Sequence, residues 1–189
     1  MTIIALIILF LIGLCLTLIV GAITFQLMRM LFGEAPFVST GKDIRQEIID
    51  TIPLRPESIV YDLGCGDAQV LIACHQREPR AHYIGIEKNI IPYCLARWNL
   101  FHYGHPESIT LLKRDLFSVD YSQASILYAY LFTGVLDTLL PKLERELRPG
   151  TTVVTPTFRF TRKQPSKMIP IIHAQGAKTL IREVSLTTF

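Results

Sequence analysis

From Ile3 to Ile23 nearly every position is apolar, and residues 1–28 contain no Lys, Arg, Asp or Glu. A helix needs about 20 such residues to cross roughly 30 Å of hydrocarbon. The pattern therefore predicts one transmembrane anchor over 1–28. A secretory signal peptide would carry a basic n-region and an apolar core of only about 7–15 residues. Here no charge precedes the run, the run is longer, and Val20-Gly21-Ala22 is only a faint cleavage pattern. A buried helix of a soluble domain is disfavoured by apolarity on all sides. The first basic residues, Arg29, Lys42 and Arg45, follow the span. By the positive-inside rule the expectation is a single-pass membrane protein with the rest of the chain in the cytoplasm or an equivalent compartment.

Beyond the span the pattern changes. Gly33 and Pro36 within Phe32–Thr40 mark a linker, assigned to 29–41. From residue 42 onward short apolar runs alternate with helical spacing. Asp43–Thr51 repeats Ile44, Ile48 and Ile49 at helix period, and Ser58–Leu63 is a buried strand ending in glycines. Gln69–Arg77 is a helix and His82–Glu87 a second strand. A helix runs from Asn89, a candidate cap, to about His102, with Pro92 tolerated in its first turn. Ser108–Lys113 and Ala124–Tyr130 are the next strands. Gly134–Leu147 is an amphipathic helix stopped by Pro149-Gly150. Thr151–Phe158 is a fifth strand, with Pro156 at its end or at a bulge. Lys178–Thr188 alternates as a final strand. Strands alternating with helices imply an α/β fold, a doubly wound, mostly parallel Rossmann-like sheet over 42–189.

Composition bounds the chemistry. The 189 residues have room for one domain beyond the anchor, and the net charge of +3 is too small and dispersed for a nucleic-acid footprint. Cys15, Cys65, Cys74 and Cys94 lack C-x-x-C spacing and are expected as free thiols. The five histidines show no metal spacing, so no metal is expected. Arg159, Arg162, Lys163 and Lys167 form an acid-free basic stretch, better read as a solvated loop than as a headgroup contact.

The stretch that carries chemistry is Asp62-Leu63-Gly64-Cys65-Gly66-Asp67-Ala68, between strand and helix. Two glycines one residue apart let the chain turn sharply and let a ligand approach bare backbone, at the free N–H groups of a helix start. Glu87 lies 87 − 66 = 21 positions beyond Gly66, where a ribose-binding carboxylate belongs in such folds. A dinucleotide site would want a third glycine at position 69, which is Gln69 here. Asp62 would repel a pyrophosphate but suits a cationic amine. Together these features favour S-adenosyl-L-methionine, which carries an amino acid, a sulfonium and a nucleoside but no phosphate.

On these residues the chain resembles the class I S-adenosylmethionine-dependent methyltransferases over about 34–160. More narrowly, the apolar N-terminus, Pro36-Phe37-Val38-Ser39-Thr40 and Asp62-Leu63-Gly64-Cys65-Gly66-Asp67 resemble a small membrane-anchored group. That group includes the ATP synthase c-subunit lysine N-methyltransferase. The resemblance implies that Gly64, Cys65 and Gly66 pass the methionine part of the cofactor, Asp62 meets its amino group and Glu87 its ribose hydroxyls. It implies further that Asp115 and the Leu116 N–H meet the adenine. The third glycine of the family pattern falls on Ala68, which is expected to tolerate helical φ/ψ. Tyr128, Tyr130 and Phe132 end the fourth strand on the ligand side of such sheets and could hold a lysine side chain by cation–π contact. Core packing explains at least one of them equally well. No catalytic base can be named. The resemblance implies protein-lysine N-methylation of a membrane-associated protein target. The alternatives are methylation of a small lipophilic substrate, such as a lipid amine or quinone precursor, and a non-catalytic membrane-tethered binding module, which only Ala68 supports.

Overall fold

The computed structural model describes residues 3–31, 42–175 and 178–189. The chain forms two compact units, 1–38 and 39–189. The first contains one helix, α1 (Ile3–Leu31), apolar along its length and exposed. Its segment Ile3–Leu27 has 25 residues, about 37 Å at 1.5 Å per residue, long enough to cross a bilayer. The hydroxyls of Thr17 and Thr24 donate to helix carbonyls one turn back, at 2.8 Å to Gly13 and 3.0 Å to Val20. Neither polar group would therefore meet hydrocarbon unpaired. The helix continues past residue 28 to Leu31, so the start of the expected linker is helical. Residues 32–41, including the Pro36–Thr40 motif, lie outside the described residues.

The second unit is built on a seven-stranded sheet: β1 (Ile59–Leu63), β2 (His82–Ile86), β3 (Ile109–Leu112), β4 (Ile126–Tyr128), β5 (Thr152–Pro156), β6 (Lys167–Gln175) and β7 (Lys178–Thr188). The order is β3-β2-β1-β4-β5-β7-β6. The first five strands are parallel, and β7 runs antiparallel between β5 and β6. Strand order reverses between β1 and β4, and such a switch point opens a crevice at the carboxyl ends of the strands.

Period-2 alternation sends successive residues of each strand to opposite faces. Val60, Tyr83, Ile126, Tyr128 and Val154 pack on one face with α2 (Lys42–Thr51), α3 (Gln69–Arg77) and α4 (Ile90–Tyr103). Tyr61, Leu63, Ile86, Leu127 and Val153 pack on the other against α5 (Thr133–Glu146), which contributes Leu136, Leu139, Leu140 and Leu143.

Strand β6 is absent from the sequence pattern because Pro170 interrupts it. Proline is tolerated on an edge strand, which β6 is. Lys167 consequently begins this strand, whereas Arg159, Arg162 and Lys163 precede it in the loop. Lys163 pairs with Glu144 at 3.7 Å and lies 4.1 Å from the centre of the Phe189 ring. Pro156 closes β5.

Candidate functional site

The loop after β1 is shaped by left-handed residues at alternate positions: Gly64 (φ 77°), Gly66 (φ 57°) and Ala68 (φ 63°). At Gly64 a Cβ would also sit 3.4 Å from Leu131 Cδ2. Ala68 departs from the expectation of helical φ/ψ. It is the left-handed N-cap of α3, a conformation costing an L-residue about 1–2 kcal/mol, which explains why glycine suits this position. Its burial and the Ala68 N–H bond to Cys65 O (2.9 Å) hold it there.

The loop is tied to the end of β2. Gly64 and Cys65 both donate their N–H to the Ile86 carbonyl, at 2.8 and 3.0 Å. Cys65 is buried against β2, where a Cβ on Gly85 would come within 2.8 Å of its sulfur. Burial and the neighbouring Asp62 push both the Cys65 and Cys74 thiols upward, Cys74 to about 12, so neither is an ionised nucleophile at neutral pH.

Glu87 follows β2 and is 7% exposed. Its Oε2 accepts the Gly66 N–H at 3.2 Å and its Oε1 the Asn89 N–H at 2.7 Å. Each carboxylate oxygen can accept two hydrogen bonds, so each keeps capacity for a ligand hydroxyl. Asn89 occupies the N-cap position of α4 but makes no side-chain cap bond, contrary to the expected capping role. Its backbone serves Glu87 instead.

Asp62 pairs in register with Tyr128 of β4 and is 3% exposed. Its Oδ2 is the buried side-chain oxygen without a hydrogen-bond partner among the described residues. Burial first, then the charges of Glu87 and Asp67, push its carboxyl up to about 8. An unsatisfied, fully desolvated carboxyl costs stability. One beside a glycine loop fits a cationic ligand group that would restore its charge.

The remaining residues spread along the strand ends. Asp115 follows β3 and caps the 3-10 turn Leu116–Ser118, accepting the Phe117 N–H at 3.0 Å. That bond and the Lys88 ammonium 3.3 Å away hold its carboxyl below the usual range. The Leu116 N–H opens the turn, where a helical start leaves donors unpaired. Tyr128 corrects the expected aromatic lip: it is 3% exposed and belongs to the core, because its strand position faces α2 and α3. Tyr130 and Phe132 do lie beyond the strand, and both pack on Phe158 after β5, with ring centres 5.8 and 5.0 Å apart. Phe158 was not anticipated. Neither were Arg45, which donates to Gln69 Oε1 at 2.9 Å, nor Asn99, which donates to the Asp67 carbonyl at 2.9 Å. No local motif marks these partners; only the tertiary fold brings them to the loop.

The comparisons with known proteins meet this geometry. The family model described as the ANTKMT methyltransferase domain matches residues 62–167. The chain belongs to this family. A protein-lysine N-methyltransferase of Saccharolobus islandicus (strain REY15A) is 32% identical over 138 residues, covering 73% of this chain and 86% of that one. The adenine nucleotide translocase lysine N-methyltransferase of Mus musculus is 29% identical, covering 72% of this chain. The ATP synthase c-subunit lysine N-methyltransferase of Homo sapiens is 30% identical, covering 69%. The chain spans 58% and 54% of the length of these two animal relatives. An RNA methyltransferase of Salinibacter ruber, solved with S-adenosyl-L-homocysteine, superposes with a TM-score of 0.70 at 28% identity, covering 80% of this chain and 93% of that one. This family member is an S-adenosylmethionine-dependent methyltransferase, and the unpartnered Asp62 oxygen, the glycine loop and Glu87 fit that cofactor.

Proposed function

We propose that this methyltransferase acts on the ε-amino group of a lysine in a membrane-associated protein. When bound, S-adenosylmethionine supplies a methyl group on a sulfonium leaving group. Asp62 holds the cofactor's amino group, Gly64, Cys65 and Gly66 border its methionine part, and Glu87 takes the ribose hydroxyls. Asp115 and the Leu116 N–H take the adenine. Tyr130 and Phe132, backed by Phe158, receive the acceptor lysine stem. The observation that carries the cofactor assignment is Asp62: a buried carboxyl with an orphaned oxygen is a poor structural element and a good ammonium site. The protein's work is alignment, holding a neutral nucleophile in line with the methyl carbon.

The protein-lysine substrate is supported by the names of the three relatives, two of which act on membrane-associated proteins. The membrane assignment is supported by α1 and by Arg29, Lys42 and Arg45 after it, which favour a single-pass anchor with residues 42–189 on the cytoplasmic or equivalent side.

The test is methyl transfer from labelled cofactor to membrane extracts. Label in protein that hydrolyses to methyl-lysine is the expected result. Label in the organic phase indicates the small lipophilic substrate instead. Nuclease-sensitive label, as the structural neighbour's RNA activity would give, overturns the proposal.

A further inference from the structure

Helix α4 buries only a narrow stripe. Ala96 and Leu100 face the core, and Asn99 reaches the Asp67 carbonyl. At 100° per residue, Ile90, Phe101, Trp98, Ile91 and Leu95 fall in one arc of about 140° on the opposite side. All five are exposed, from 45% at Leu95 to 72% at Ile91. Scattered exposed apolar residues need no explanation, but a contiguous face of this kind marks an interaction site. Its rings already associate: Trp98 and Phe101 lie 4.2 and 5.5 Å from the His102 ring, centre to centre.

We infer that this α4 face is a bilayer-contact surface that seats the second unit in the headgroup region. The inference rests on the proposed membrane attachment through α1. Two observations choose lipid over a protein partner. The helix contains no acidic residue; Arg97 borders the apolar arc and Lys88 precedes it, both exposed, which suits anionic headgroups. The nearest acids along the chain are Glu87, buried in the cofactor site, and Glu107, beyond the helix end. The centre of the arc is Trp98, the side chain that prefers the membrane–water interface. Chain length agrees: ten residues separate Leu31 from Lys42, reaching at most about 36 Å, so a unit tethered by α1 stays near the bilayer. Ile90 follows Glu87 by three positions and α4 bonds to the glycine loop, so docking by this face brings the cofactor site to the lipid surface.

Trp98 is the chain's one tryptophan and reports on this surface directly. The full chain is reconstituted in phosphatidylcholine–phosphatidylglycerol vesicles, with or without bromines on the acyl chains near the headgroup. The expected result is a blue-shifted emission that loses most of its intensity in brominated vesicles and resists acrylamide. The double variant Ile91→Ser/Phe101→Ser, which changes only exposed positions and keeps Trp98, should restore the red-shifted, acrylamide-accessible emission. Carbonate washing of the same vesicles separates the two readings. A chain that resists washing while Trp98 stays unquenched by bromine overturns the α4 surface and leaves the α1 anchor standing. A chain that washes off, yet shows bromine quenching before washing, overturns the anchor and keeps the surface. Protection from acrylamide without bromine quenching, and lost on diluting protein into lipid, assigns the face to a second copy and overturns the inference.

Discussion

Cofactor affinity should depend on pH in a way set by Asp62. In the free protein its carboxyl titrates at about 8, raised by burial and then by Glu87 and Asp67. At pH 7 it is therefore about nine-tenths protonated, and at pH 6 about one part in a hundred is ionised. The cofactor's amino group, with the α-amino value of about 8, is cationic over the same range. The bound pair needs an ionised carboxylate and a charged amine together. The product of the two fractions rises about 25-fold from pH 6 to pH 8 and falls again above it. Binding at pH 7 should release close to one proton.

Calorimetry in two buffers of different ionisation enthalpy reads the proton count directly, and a pH series reads the affinity. Asp62→Asn should bind about 10–100-fold more weakly at pH 8, the loss of one charge-assisted hydrogen bond. It should also lose the acidic limb, so that mutant and wild type converge toward pH 6. An affinity flat between pH 6 and 8, with no proton released at pH 7, would refute the assignment of the ammonium to Asp62.

Other expectations follow from the same contacts. Stability of the free protein should fall as pH rises from about 4 to 8, because the folded state keeps a proton on Asp62 that the unfolded chain releases near 3.8. Asp62→Asn should flatten that slope and raise stability at pH 7 by about 1–3 kcal/mol, the cost of the raised carboxyl less that of a buried amide; denaturant melts check it. Glu87→Ala should weaken cofactor binding by about 1–3 kcal/mol, whereas unchanged affinity by calorimetry would remove Glu87 from the site. Gly85→Ala should cost about 1–3 kcal/mol of stability, since its Cβ would meet Leu71, Cys65 and Leu111 side chains within 2.8 Å.

The alternation of strands and helices in 42–189 was readable because each strand of β1 to β5 is a short apolar run closed by turn residues. The boundaries that moved were at strand ends: Ala124–Tyr130 shortens to Ile126–Tyr128, because pairing with β1 and β5 ends there. Strand β6 was not readable, since its partner β7, and not its own pattern, holds Pro170 in the sheet. Among site residues, the glycine loop and Glu87 are legible because sequence spacing fixes their meeting at the end of adjacent strands. The burial of Tyr128 was not, because an aromatic at a strand end reads alike whether helices cover it or leave it open.

Two features of the loop are costly to the free protein and lie within a few residues of each other. One is the unpartnered carboxyl at Asp62; the other is the left-handed alanine at position 68. Their origins differ, and so do their remedies. A cationic ligand can restore charge and a hydrogen bond to Asp62, so that cost is recovered on binding. No ligand relieves the backbone of Ala68. Ala68→Gly removes about 1–2 kcal/mol of left-handed strain. It also adds about 0.4–1 kcal/mol of unfolded-chain entropy and deletes a buried methyl worth about 0.8. These terms nearly cancel, which is how an alanine persists where glycine is the easier residue. Ala68→Val cannot find that balance, because a β-branched side chain at φ 63° adds strain to overpacking. Thermal melts should therefore show Ala68→Gly within about 1 kcal/mol of wild type and Ala68→Val lower by about 2 kcal/mol or more. A gain of several kcal/mol in Ala68→Gly would mean that the buried methyl contributes nothing, and that the loop's geometry is imposed by the rest of the fold at the full cost of the strain.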